Sequence, residues 1–446
     1  MAVFKRMGNI ILILFFINLL PILDVWKMSP VFKIIAFTIL GVNFIRYNIA
    51  PIRRKEDAAR LRIMRNGCEL ITVSCVVFII QLAVSGYSFW VIATTPVTVV
   101  SVVIAAVAGL VAVLVLLWNG ILRIMLTSTQ LGLIRRILLV CTWWIPIFNI
   151  ILFRICCHTV RREYYFEISK IELNEQRSEN EICKTQYPIL LVHGIFWRDW
   201  QMFNYWGRIP RELTRNGASI YYGSQHSATS MEICAGEIKE QILRILETEH
   251  CDKVNIIAHS KGGLDARYVA GCLGMEDKVA SITTIGTPHG GCLLVDRILH
   301  RTPDKMVHFI AARYNAIYRK LGDKEPDFYS GIRDLTVESC TRFNETVPDR
   351  EGIVYQSVTS KMRSVFSAGF PLNAGYAMVA SKEGENDGFV TVESSRHGEF
   401  LGCYSAKKTR GISHGDMIDL MRENIYGFDV CEFYVGIVRG LKEKGL

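Results

Sequence analysis

Thirteen cysteines are scattered through the 446 residues with no CxxC pair and no Cys/His ligand spacing, and eight of them fall after residue 180. That pattern excludes a zinc ribbon and a dithiol redox centre, and it suits free, mostly buried thiols in a reducing setting. Internal repeats and low-complexity tracts are missing too, which excludes a solenoid. Lys5 and Arg6 precede an apolar stretch as they would in a signal peptide, but no small-x-small cleavage site follows, so a retained segment is expected.

Charge is what the first 155 residues have least of. Apolar runs occupy 10–23, 31–45, 70–93, 97–118 and 137–153. The third and fourth reach the ~20 residues needed to cross a bilayer, and the others are shorter, so a multi-pass cell-membrane region of four or five helices is expected. Lys33 enters the second run, where it is expected to snorkel, and Glu69 sits at the edge of the third. With so little charge inside, no proton relay or ion path stands out.

The net charge of +9 has the same origin. Arg46, Arg53, Arg54, Lys55, Arg60, Arg62 and Arg65 cluster between the second and third runs, which places that loop in the cytoplasm. A basic patch beside a membrane reads as a topology signal and headgroup contact, not as a nucleic-acid site. The side on which the rest of the chain lies stays open, because Arg154, Arg161 and Arg162 argue against the fifth run crossing. Cys156 and Cys157 read as plain interfacial cysteines rather than acylation sites.

Composition changes after residue 155. A polar stretch over 156–186 reads as a linker or connecting helix, and 187–446 then shows short apolar runs separated by amphipathic stretches of helix length. Strands are predicted at 187–194, 218–223, 253–260, 279–288 and 352–360, with helices at 229–248 and 261–273. Strands that are apolar throughout and alternate with helices imply an α/β domain, a mostly parallel sheet covered by helices on both faces. Between 292 and 326 only helical periodicity is found, fitting a helical lid or one or two packing helices.

The chemistry centres on Ser260, in "KVNIIAHSKGGLDARY". Small residues at Ala258 and Gly262 flank it between a strand and a helix, as a nucleophile elbow requires, although alanine replaces the usual first glycine. "LLVHGIF" ends the first strand and supplies a second oxyanion donor, so the amides of Ile195 and Lys261 are the candidates, with Phe196 an alternative. His193 is expected to hold that loop. Five histidines follow Ser260: His289 reads as loop-shaping, His300 and His308 fall in the helical insertion, and His397 and His414 remain as bases.

The order serine, acid, histidine favours Asp387, in "GENDGFVTVESS" ahead of a short β-like run, and His414, in "RGISHGDMIDL", with His397 in reserve. Asp265 and Asp416 read as ordinary carboxylates near helix starts.

These blocks, from "YPILLVHGIF" through "TTIGTPHGG" to "NDGFVTVESS" and "SHGDMIDL", resemble the bacterial triacylglycerol lipases and esterases of the α/β-hydrolase fold over about residues 185–435, in that family's order. The resemblance implies a Ser260, Asp387, His414 triad with oxyanion amides on Ile195 and Lys261, a lipid or ester substrate, and no required cofactor. Asp416 matches one ligand of the structural calcium found in many members, but "VFSAGFPLNAGYAMVA" lacks the second carboxylate, and the zinc-binding positions of other relatives have no match. Acyltransferases and phospholipases use the same triad with another acceptor or lipid bond. A membrane scaffold carrying a dead hydrolase domain would lack a triad member, and all three are present.

Overall fold

The computed structural model describes residues 2–446 apart from 53–57, 95–98, 178, 196–203, 227–228, 321, 324–325 and 407–409. It divides into two compact units, Met1–Leu173 and Asn174–Leu446. The division falls inside the stretch read as a linker, most of which is helical and belongs to α7 below.

The described residues of the first unit form α1 (Ala2–Ile17), α2 (Leu19–Val25), α3 (Pro30–Ile49), α4 (Ala59–Thr94), α5 (Val99–Thr127), α6 (Leu133–Cys141) and α7 (Pro146–Arg177), the last continuing past the division. Among them, Pro30–Ile49, Ala59–Val91 and Val99–Thr127 are long and apolar enough to cross a membrane, and α1 with α2, bent by 63°, makes a fourth if the pair acts as one. The fifth run is not one continuous helix. The helix stops at Cys141, Thr142 Oγ1 takes the Leu138 carbonyl at 2.7 Å, and α7 restarts at Pro146, which has no N–H with which to continue a helix.

Several polar groups inside this unit are paired. Arg6 Nε donates to Glu69 Oε1 at 2.7 Å, and Glu69 is buried. Lys33 pairs with Asp24. Asn18 Nδ2 donates to Gln81 Oε1 at 2.7 Å. Helices α4 and α5 meet at Gly67 and Gly120, where a Cβ on Gly120 would lie 2.7 Å from Ile71 Cγ1, the close approach that small residues allow in apolar surroundings. Cys156 and Cys157 are buried in this packing.

The second unit is built on one parallel sheet of β1 (Ile189–Val192), β2 (Ile220–Tyr222), β3 (Val254–His259), β4 (Val279–Ile285), β5 (Val354–Ser360) and β6 (Glu399–Tyr404), in the order β2-β1-β3-β4-β5-β6. Its helices are α8 (Ile209–Arg215), α9 (Met231–Glu249), α10 (Lys261–Cys272), α11 (Leu293–Arg301), α12 (Asp304–Lys320), α13 (Phe328–Arg333), α14 (Val337–Thr346), α15 (Leu372–Glu383) and α16 (Val430–Glu443).

Neighbouring strand residues point to opposite faces. Leu191, Ile257 and Val358 pack with Trp206 and Tyr434 beneath α8 and α16, whereas Leu190, Ile256 and Ile282 pack with Ile238, Ile242 and Val269 of α9 and α10. Each fully buried aliphatic contributes roughly 1.5–3 kcal/mol, which is why these strands are apolar throughout.

The chain winds outward in both directions from β1 and β3, and ligand sites of such sheets lie beyond the strand ends at this reversal. Val192 of β1 pairs with Ala258 of β3, so the loop after β1 and the turn holding Ser260 leave the sheet side by side. A parallel sheet covered on both faces by helices, with the elbow serine on the turn out of β3, is the α/β-hydrolase fold.

Strand β6 was not expected. It is a half-exposed edge strand interrupted by Gly402 at φ +137 and by a register shift against β5, so its apolar pattern is weak. The β-like run after Asp387 is instead a tight turn, closed by the Val392 amide on the Glu385 carbonyl at 2.9 Å.

Candidate active site

Ser260 sits between the last residue of β3 and the first of α10 with φ +55 and ψ −132, a region costly for any residue with a side chain. Such strain is worth about 1–3 kcal/mol and persists where the surroundings over-determine it. Here a Cβ on Gly262 would run into the carbonyl oxygen of His193, and one on Gly263 into Thr287 Oγ1. Ala258 is accommodated within the α9–α10 layer, fully buried.

The acid and base expected from the sequence are brought together. His414 Nδ1 lies 2.7 Å from Asp387 Oδ2, and the His414 amide donates to the Asp387 carbonyl at 2.8 Å. Asp387 Oδ1 accepts the amides of Phe389 and Val390 at 2.9 and 2.8 Å, so the turn that replaced the expected strand aims the carboxylate. Gly286, at φ +57, leaves room for the pair: a Cβ there would stand 3.2 Å from both Asp387 Oδ2 and His414 Nδ1. With Nδ1–H committed to Asp387, the imidazole keeps Nε2 free as an acceptor. Ser260 and His414 line the same cavity.

The other histidines are occupied elsewhere. His193 is held between the carbonyls of Gly194 and Gln225, and His289 is buried against Thr284 Oγ1 and Arg267. His397 pairs with Asp349 and lines a separate polar cleft with His289, so it does not join Ser260. His308 stacks on Tyr329.

Ile195 borders the cavity, and a Cβ on the preceding Gly194 would come within 2.8 Å of Ser260 Cβ, so this loop is tight against the serine. Neither the Ile195 nor the Lys261 amide donates to another described residue, which leaves both available to an oxyanion. Phe196 lies outside the described residues.

One network was not legible in the sequence. The Gly194 amide donates to Tyr205 Oη at 3.1 Å, Tyr205 Oη–H donates to His259 Nδ1 at 2.7 Å, and His259 Nε2–H donates to the His414 carbonyl at 3.2 Å. Burial drives the His259 pKa well down, keeping it neutral, as this donor pattern requires. A single imidazole thus ties together the oxyanion loop, the elbow and the base loop. Pairing Tyr205 with His259, 54 residues apart, leaves no local signal.

The Lys261 side chain is buried behind the elbow, where Nζ bonds Asp265 Oδ1 at 2.6 Å and lies 4.0 Å from Asp334 Oδ2. Burial opposes its charge, but Asp265, Cys234 and Asp334 hold its pKa above the usual lysine value. Lys261→Met should therefore cost about 3–5 kcal/mol by stranding Asp265. Burial pushes the Asp265 carboxyl up to about 7 even beside Lys261 and leaves the stranded acid higher still, so the deficit deepens as pH rises above about 7, where Asp265 of the unaltered protein ionises and that of the variant does not. Thermal melts across pH check the slope, and a Lys261→Met, Asp265→Leu double variant should recover most of the loss.

A cavity of about 1160 Å³ opens over Ser260. Leu294, Val295 and Ile298 of α11 and Val307, Ile310 and Tyr314 of α12 supply much of its wall, so the helical insertion does stand at the site.

Asp416 does not fit a calcium ion. Its Oδ2 accepts the Ser413 amide and hydroxyl, each at 2.8 Å, and its Oδ1 accepts Arg410 Nη2 at 3.1 Å, so a guanidinium already neutralises it. Among the described residues no group of three or more His, Cys, Asp or Glu is placed to hold a metal.

A strained serine, a histidine bonded to a buried carboxylate and two amides without a described partner thus surround one cavity on an α/β-hydrolase sheet. Comparison with known proteins points to the same group. The chain is 32% identical to a triacylglycerol lipase of Vibrio cholerae over 181 residues, 39% of this chain and 57% of that protein. It is 28% identical to a triacylglycerol lipase of Pseudomonas fragi over 299 residues, 60% of this chain and 100% of that protein. The chain spans about half the length of the first curated relatives it matches, between 49% and 57%. Among solved structures, the mature form of Bacillus licheniformis lipase BlEst2 aligns with TM-score 0.40 and 21% identity, covering 52% of this chain and 87% of that one. No protein-family model matches. The sequence relatives support a lipase/esterase family for this chain.

Proposed function

We propose that the second unit is a serine hydrolase that cleaves carboxylic esters of lipid-like acyl chains through an acyl-enzyme, and that the first unit anchors it in the cell membrane by several spans. The observation that carries the reading is the buried Asp387–His414 pair sharing one apolar cavity with an elbow serine. In this mechanism His414 Nε2 takes the Ser260 hydroxyl proton as Oγ attacks the ester carbonyl, and Asp387 stabilises the resulting imidazolium. The Ile195 and Lys261 amides hold the oxyanion, and His414 then returns the proton to the leaving alcohol. Water repeats the sequence to release the acid, so only these side chains and water take part. The apolar wall from α11 and α12 suits an acyl chain, and lid movement of these helices would admit it.

The reading is tested with a fluorophosphonate probe on the purified protein. A single adduct on the peptide carrying Ser260 is expected; an adduct confined to another residue, or none, would falsify the assignment.

A further inference from the structure

Basic side chains of the first unit gather at one end of its helices. Arg123 Nη2 of α5 donates to the Asn48 carbonyl near the end of α3 at 2.7 Å, and Arg60 Nε near the start of α4 donates to the Thr127 carbonyl at the end of α5 at 2.9 Å. Arg6 reaches Glu69 of α4, so α1 starts at this end too. The opposite end holds Asp24, Lys27 and Lys33 around the turn from α2 to α3, and an uncharged stretch over 86–98. Cytoplasmic ends of membrane helices collect arginine and lysine, which also suit the anionic cytoplasmic leaflet.

The fifth apolar run starts and finishes at the arginine end. Helix α7 meets α6 and the turn before it in reverse order: Asn149 Nδ2 donates to the Thr142 carbonyl, Arg135 Nη1 donates to Thr159 Oγ1 at 3.0 Å, and Glu163 Oε1 accepts the Thr129 amide at 3.0 Å. The two helices therefore form an antiparallel hairpin. At its tip Trp143 packs edge-on against Trp118 of α5, with ring centroids 5.6 Å apart. At 1.5 Å per residue, Trp118 lies about 14 Å from the Thr127 end of a helix roughly 43 Å long, so the hairpin turns back far short of the opposite end. Helix α6, with 9 residues, is too short for a ~30 Å hydrocarbon core. Arg60 also pairs with Glu163, which ties the returning α7 to the end from which α6 set out. Past this point α7 runs through Glu167, Lys170, Glu172 and Glu175 to Arg177, too polar for a bilayer interior.

On its outer side the hairpin shows Ile134, Trp144, Ile147 and Ile151, each 60% exposed or more. These apolar side chains share the hairpin with Arg135 and Arg136, a pairing that matches acyl chains and anionic headgroups at a bilayer surface. All thirteen cysteines are free, as suits the reducing side of a membrane.

Resting on the membrane anchoring proposed above, we propose that α6 and α7 form a hairpin seated in the cytoplasmic leaflet, and that the hydrolase works in the cytoplasm on lipid esters of that leaflet. Four crossings precede the hairpin and none follows it, because the chain enters and leaves at the arginine end.

The test uses the full chain in right-side-out and inverted vesicles from the cells that express it. One version has a protease site inserted after Arg177 and another has it between Arg54 and Lys55. Both sites should be cut in inverted vesicles and spared in right-side-out ones. In the unaltered protein, a membrane-impermeant fluorophosphonate should label Ser260 in inverted vesicles, with loss of labelling in the others. Cutting of the two sites from opposite sides means that the fifth run crosses and overturns the proposal; cutting of both in right-side-out vesicles overturns it as well. Detergent-solubilised protein that resists the probe while the protease pattern holds overturns the hydrolase reading and leaves the topology standing. Release of the chain from membranes by alkaline carbonate overturns the anchoring and the topology together.

Discussion

Ser260→Ala should remove ester turnover almost completely, by about 10⁵–10⁶-fold in kcat, because the nucleophile and its base act as a unit. The fold should survive the change. Ser260 Oγ makes no hydrogen bond to a described residue, so the substitution strands no partner, and the alanine occupies the same strained backbone with the same Cβ. Stability should stay within about 0.5 kcal/mol, the range of substitutions that disturb neither packing nor polar pairing. The measurement is kcat on p-nitrophenyl esters of short and medium chains, set beside a thermal melt. A loss under 100-fold with an intact melt would mean that another group attacks the ester.

Much of this site was legible because its chemistry imposes local patterns. A strand buried on both faces must be apolar throughout, and a serine on a left-handed turn needs small residues around it, so "KVNIIAHSKGG" announces both. Asp387 and His414 were found from chain order and loop placement, and they meet at 2.7 Å. The miss beside them has a physical cause. "FVTVESS" has strand-like composition, but its first two amides are drawn onto the Asp387 carboxylate, and that local bonding competes with any ladder.

Long-range partners left no trace. Tyr205 reaches His259 across 54 residues, and Arg410 finds Glu423 only because the base loop folds back on itself. In the first unit, hydropathy found the long helices but could not see the break at 142–145. A proline and a threonine back-bond outweigh the apolar run there.

Asp387→Asn should lower kcat by about 10⁴-fold while leaving KM and the melting temperature nearly unchanged. The asparagine carbonyl oxygen can still accept the Phe389 and Val390 amides, so the turn keeps its hydrogen bonds. The remaining amide nitrogen then faces His414 Nδ1, and a donor cannot accept a proton from a donor. His414 must shift its hydrogen to Nε2, which presents an N–H to Ser260 where a lone pair is needed. Asp387→Ala has a different profile. It orphans the two amides that Asp387 Oδ1 now receives in a fully buried position, so it should cost stability as well, about 1–3 kcal/mol for each group left unpaired. Comparing the two variants by kcat and by thermal melt therefore separates orientation of the base from support of the turn. If Asp387→Asn retained activity within about tenfold, the tautomer would not be what the carboxylate supplies, and its part would be confined to holding the turn.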